Sequence, residues 1–142
     1  MPARRRFRVG GAALAALVLL TGCSNNEPTI NKGPHPGSTT ATDVAGVQQV
    51  RITTGVDLRF HPSTIVVHPG KVRIILANKT GRGSGPPHNL DVTGIPGAFV
   101  PLTQFNQTRQ VTFIAPSPGR YRFVCTIHAN QGQTGTLVVT GS

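Results

Sequence analysis

Acidic residues are scarce in this chain: four Asp or Glu stand against fourteen Lys or Arg over 142 residues. From Val47 onward the only carboxylate side chains are those of Asp57 and Asp91. General acid–base chemistry by paired acids therefore has almost nothing to draw on, and no Ser–His–acid set is apparent. An enzyme is not expected. Methionine is absent after Met1, so no thioether is available to any folded site. Cysteine occurs twice, at Cys23 and Cys125. No window shows a sustained helical period with caps, and twelve prolines and seventeen glycines argue further against a helical protein. The longest apolar run, "GAALAALVLL", is too short to span a bilayer as a mature helix.

That run has its own meaning. It follows "MPARRRFRVG", a basic stretch, and precedes "LTGC". The combination resembles a bacterial lipobox, which implies cleavage before Cys23 and lipid on Cys23. An ordinary secretory signal with an incidental cysteine is the alternative. "RRRF" faintly resembles the twin-arginine export pattern, although Arg8 breaks the apolar run that should follow, so the export route stays open. Residues 1–22 are thus expected to be a signal peptide. Residues 23–46, "CSNNEPTINKGPHPGSTTATDVAG", are poor in large apolar side chains and are expected to form a flexible linker, His35 included. Residues 47–142 fit one small domain. A Cys23–Cys125 disulfide is not expected, because a lipidated Cys23 has no thiol and would lie in the linker.

Four of the fourteen basic residues lie in the leader. From Val47 onward nine Lys or Arg against two Asp leave a net charge of +7. This favours anionic lipid headgroups or an acidic protein as partner. The cations are dispersed rather than interleaved with aromatics, so nucleic acid is not expected.

The domain reads as strands between Gly and Pro punctuation. "VQQVRITT", "RQVTFIAP" and "PGRYRFVC" alternate, "TIVVHPGKVRIILANKT" reads as strand, Pro-Gly turn and strand, and "HNLDVTG" and "TGTLVVTG" add two more. A two-sheet β-sandwich follows. Period-2 alternation puts Tyr121, Phe123 and Cys125 on one inward face. Cys125 then ends a core strand just before a loop, a position suited to a metal site.

Cys125 and His128 form a Cys-x-x-His pair, and thiolate with imidazole suits copper or zinc. A third ligand must come from elsewhere. His61 and His68 each precede a proline in turn-like surroundings and are read as surface residues. His88 follows "GRGSGPP" and opens a strand, which makes it the better candidate. "PPHNLDV" followed by "GRYRFVCTIHANQGQTGTLVV" resembles the cupredoxins, the small blue-copper proteins, with plastocyanin-like ligand spacing. "FHPSTIVVHPGKVRIILANKT" is similar to that family's early strands. The resemblance covers most of residues 50–140 and implies a Greek-key β-sandwich holding one mononuclear type 1 copper ion. It implies His88, Cys125 and His128 as equatorial ligands and Gly135 as the glycine that turns into the last strand.

At the family's axial methionine position stands Gln133. Three readings are open. Its amide oxygen is the axial ligand, as in stellacyanin-like proteins; or it points away and copper is nearly three-coordinate, with Gln131 a substitute that the spacing disfavours; or copper binding has been lost. The resemblance also implies Asn89 and Thr126 as a hydrogen-bonded pair tying the ligand loops together, and an apolar surface around the His128 edge formed by Pro86, Pro87, Ala129 and Ile127. The expected function is single-electron transfer by a monomer, lipid-anchored through Cys23 outside the cytoplasmic membrane. Too few histidines remain for a copper oxidase. An envelope copper-delivery or copper-tolerance protein and a metal-free binding module are the alternatives.

Overall fold

The computed structural model describes residues 37–80 and 83–141. The leader, Cys23 and His35 lie outside the described residues. Ten strands form two sheets, with no α-helix among the described residues. In chain order they are β1 (Ser38–Thr40), β2 (Thr42–Val44), β3 (Val47–Gly55), β4 (Thr64–Val67), β5 (Gly70–Thr80), β6 (His88–Val92), β7 (Phe99–Thr103), β8 (Thr108–Ala115), β9 (Gly119–Val124) and β10 (Thr134–Val139). One sheet runs β1-β4-β10-β9-β6-β7 and the other β2-β3-β5-β8. A short 3-10 turn, Ala129–Gln131, interrupts the loop between β9 and β10.

Alternation builds the core as expected. Val72, Ile74 and Leu76 of β5 are fully buried, as are Ile65 and Val67 of β4 and Leu137 of β10. Phe123 of β9 meets Phe60 edge to face, ring centroids 5.2 Å apart, and both rings are wholly buried. Burying a side chain of this size is worth about 1.5–3 kcal/mol.

Three strands depart from the sequence reading. The stretch 38–44, expected to be part of the linker, is paired. β1 lies parallel to β4, with Ser38 opposite Thr64, and β2 lies antiparallel to β3, with Val44 opposite Val47. Only Ala41 separates the two strands, so the chain crosses from one sheet edge to the other within a residue. Hydroxyl-rich composition suggested a coil, but an edge strand needs ladder hydrogen bonds more than apolar burial. The β2–β3 turn uses Ala45 and Gly46, both at positive φ, which is the two-residue geometry that matches strand twist. β7 went unread because Pro101 interrupts it; the strand is at the sheet edge, where a missing N–H breaks no ladder.

Gly135 also plays a different part. It has no positive φ and sits inside β10, opposite Phe123. The turn glycine is Gly132, at φ 87°, which closes the 3-10 turn.

Candidate metal centre

Three neighbouring strands of the larger sheet deliver the chemistry to one end of the sandwich. His88 opens β6, Cys125 follows β9, and Gln133 precedes β10; His128 lies in the loop between the last two. The loop is tied by a closed ring of backbone bonds. Cys125 N–H donates to the Gln133 carbonyl (3.1 Å), Gln133 N–H to the His128 carbonyl (3.2 Å), and His128 N–H to the Cys125 carbonyl (3.1 Å). His88 comes from the far side of a proline-rich loop. Buried Asn78 pins that loop by donating from Nδ2 to the carbonyls of Pro86 (2.8 Å) and Thr103 (3.0 Å).

His88, Cys125 and Gln133 are completely buried, while His128 is partly exposed. Cys125 Sγ lies 3.9 Å from His88 Nδ1 and 3.4 Å from His128 Nδ1, and the two Nδ1 atoms are 3.2 Å apart. A point in the plane of these three atoms is about 2.0 Å from each, close to the metal–nitrogen and metal–sulfur lengths of about 2.0–2.3 Å in protein sites. Gln133 Oε1 stands 2.8 Å from His88 Nδ1 and 3.1 Å from His128 Nδ1. Gln131 Oε1 makes no hydrogen bond to this cluster; it is buried without a partner. Among the described residues, His88, Cys125 and His128 are the one group of three potential ligands gathered for a metal.

The electrostatics favour unprotonated donors at the nitrogens. His88 Nε2 is 3.0 Å from the Gly55 carbonyl, which must accept its proton and so leaves Nδ1 with a lone pair. Burial, and then the neighbouring His128, hold His88 below the ordinary imidazole range; hydrogen bonds to Gln133 and Gly55 oppose this. Burial also lowers His128, against the bond to Gln133. The Cys125 thiol is pushed up by burial, and the N–H groups of Asn89, Ile127 and His128 at the sulfur work against that rise. The lone pair of His88 Nδ1, the neutral imidazole of His128 and the oxygen of Gln133 thus converge beside a thiol, and a cation bound there would be shared among them. The residues fit a soft-to-borderline metal ion.

Asn89 and Thr126 are joined twice. Asn89 Nδ2 donates to Thr126 Oγ1 (2.7 Å) and Thr126 N–H donates to Asn89 Oδ1 (2.8 Å), bridging the loops that carry His88 and Cys125. Ile127 is half-exposed next to His128, and Pro86, Pro87 and Ala129 are partly buried. His61 sits instead beside Asp57, bonded through Nε2, and His68 is exposed at the opposite end of β4. Neither joins the cluster.

Sequence reading missed Thr54 and Gly55 at the end of β3, and the loop-pinning role of Asn78. Thr54 carried a signal: it shares the inward parity of buried Val50 and Ile52, a hydroxyl on an apolar face. Gly55 carried none, because its contribution is a backbone carbonyl.

A two-sheet β-sandwich with two imidazoles and a cysteine sulfur gathered at one end defines a small metalloprotein of the blue-copper class. The model of the cupredoxin-like domain matches residues 12–139, and the chain belongs to this family; copper is the metal that goes with the fold and with this donor set. No curated protein matches significantly. Among solved structures, auracyanin B superposes with TM-score 0.58 at 20% identity, covering 70% of this chain and 94% of its own. Auracyanin A, a "blue" copper protein from the green thermophilic photosynthetic bacterium Chloroflexus aurantiacus, gives 0.57 at 24% identity, with 67% and 100% covered. The metal-binding domain of the Cu(I)-exporting P-type ATPase CopA of Streptococcus pneumoniae, solved with Cu(I), gives 0.56 at 20% identity, with 76% and 99% covered. At these identities the likeness is one of fold.

Proposed function

We propose that the protein is a type 1 copper electron carrier, held by lipid on Cys23 at the outer face of the cytoplasmic membrane. The observation that carries this reading is the donor triangle of His88, Cys125 and His128, with an in-plane centre about 2.0 Å from each atom. Bound there, copper supplies a one-electron Cu(I)/Cu(II) couple. The chain's own part is to hold the donors still. The backbone ring through Cys125, His128 and Gln133 fixes three of them relative to one another, and the Gly55 carbonyl fixes the tautomer of His88. N–H groups at Sγ favour the thiolate and tune the couple. Burial of His88, Cys125 and Gln133 keeps water off the metal and leaves the edge of His128 as the approach for electrons.

Full burial of the thiol disfavours copper delivery, which needs an exchangeable soft ligand. The proposed redox partner presents an acidic face. Arg120 and Arg122, on the strand leading to Cys125, border a groove of about 380 Å³ with Thr64, Thr134 and Thr136, and no carboxylate lines it. The leader motif supports the lipid anchor.

Copper loading followed by optical and electron paramagnetic resonance spectroscopy tests the reading. An intense visible thiolate band is expected in the native protein and not in Cys125→Ser. A band that survives the substitution removes Cys125 from the site. Reversible one-electron cycling without loss of metal separates carriage from delivery.

A further inference from the structure

The inward side of β3 carries Val50, Ile52 and then Thr54, all buried, and the pairing of β3 with β5 slips just after Thr54. A hydroxyl at the end of an apolar row needs a partner. It finds one across the sandwich: Gln133 Nε2 donates to Thr54 Oγ1 at 2.6 Å. Both side chains are wholly buried.

An amide has two ends of similar size and opposite hydrogen-bonding sense. At Gln133, one end meets Thr54 and the other meets the Nδ1 atoms of His88 and His128. Turned over, the amide would present its NH2 group to those two nitrogens, and no oxygen would face the donor triangle. The two orientations are opposite in consequence, since only the oxygen is a metal ligand. We propose that Thr54 is a positioning residue: its hydroxyl anchors the outer end of the Gln133 amide, so that the oxygen a metal would take stays in place, and it thereby sets the reduction potential. The proposal rests on the type 1 copper reading above.

The direction follows from ligand hardness. An oxygen donor favours Cu(II) over Cu(I), so an amide held with Oε1 toward the metal lowers the potential, and one released from that orientation raises it. Removing the Thr54 hydroxyl leaves the Gln133 Nε2–H buried without an acceptor, and the amide loses the anchor that holds its oxygen inward.

The test uses the copper-loaded full chain. Thr54→Val, Thr54→Ser, Gln133→Met and the double variant Thr54→Val/Gln133→Met are compared by redox titration and by copper hyperfine splitting. Thr54→Ala, which adds no methyl in place of the hydroxyl, gives the same readout should Val not fold. Thr54→Val is expected to shift the Cu(I)-to-Cu(II) preference about tenfold toward Cu(I), a rise of about 59 mV for a one-electron couple. Thr54→Ser should keep the native potential and spectrum. In the Gln133→Met background the Thr54 change should add nothing, as coupled residues require. A native potential in Thr54→Val and Thr54→Ala while Gln133→Met shifts it overturns the role of Thr54 and leaves the copper reading standing. An equal Thr54 shift in both backgrounds shows that it does not act through Gln133, and also overturns the proposal. Unshifted potentials in all variants make Gln133 a remote residue and overturn the proposal as well. A native chain that takes up no copper defeats both readings together.

Discussion

Gly135→Ala is expected to be among the most damaging single-methyl changes in the domain. A Cβ at this position would stand 2.2 Å from Phe123 Cζ, 2.3 Å from Phe123 Cε2 and 2.5 Å from the Ser63 carbonyl oxygen. Ordinary contacts begin near 3.5 Å, so something must move by more than about 1 Å. Neither neighbour has room to do so. The Phe123 ring is fully buried and packed on Phe60, and the Ser63 carbonyl accepts the Thr136 N–H at 2.8 Å. Overpacking of this kind costs about 3 kcal/mol, the upper part of its usual range. For a domain near 100 residues, each kcal/mol lowers the melting temperature by about 4–8 °C, which puts the expected drop near 15 °C. Thermal unfolding of the metal-free protein by calorimetry measures it. Gly141→Ala is the control: nothing lies within 4 Å of its added Cβ, and its melting temperature should match the parent. A Gly135→Ala drop below about 4 °C would refute the reasoning, because the strand would then have space the packing denies it.

Asn89→Ala removes both hydrogen bonds to Thr126 and unties the His88 and Cys125 loops; stability should fall by about 2 kcal/mol and copper affinity about tenfold or more, read by denaturant titration with and without metal. The metal-free protein should lose stability in acid through its imidazoles. His88 and His128 have folded pKa values below the 6.5 of the unfolded chain, so the unfolded state binds more protons in between; their contribution is present above pH 6.5 and is lost as pH falls through the folded values. Cys125 acts at the other end, since its raised value makes stability decline from about pH 9.0 upward until pH has risen through its folded pKa. A pH–stability curve of Cys125→Ser should lack the alkaline limb, and an unchanged limb contradicts the assignment. Replacing Arg120 and Arg122 together by Gln should slow electron exchange with an acidic partner about tenfold at low salt and have little effect at high salt, where screening already removes the attraction; stopped-flow rates at two ionic strengths decide it.

Much of the fold was legible because its signal is local. Strands β3, β5, β8, β9 and β10 alternate over four residues or more, and alternation is a property of neighbours in sequence. The ligand candidates were legible because their chemistry is rare here: one cysteine after Cys23 and one histidine opening a strand. Strands β1 and β2 were not, because three-residue edge strands are stabilised by what they pair with, and the partner of β1 lies some 26 positions away at β4. The supports of the site share that difficulty. Gly55 acts through a carbonyl that every residue has, and Asn78 acts by the accident of standing beneath Pro86. The parity of Thr54 was readable, yet its meaning depends on Gln133, which is 79 residues distant and on the opposite sheet.

The division of labour between the sheets bears on how such a site can work. All four donors come from adjacent strands of the larger sheet, or the loop between them, while their supports come from β3 and β5 of the smaller one. Cys125, His128 and Gln133 are locked to each other by local backbone bonds and would keep their spacing even if the sheets shifted. His88 has no such local lock. Its place depends on Gly55 and on the loop pinned by Asn78, both across the sandwich, and on Asn89 through Thr126. The distance from His88 to the other three donors is therefore set by two things together: the β6–β9 pairing with its Asn89–Thr126 tie inside the larger sheet, and the contacts to the smaller sheet. For the proposed one-electron carrier this is a sound arrangement: a core packed at crystal-like density resists small displacements, so the donors would have little freedom to follow a change in the charge they surround.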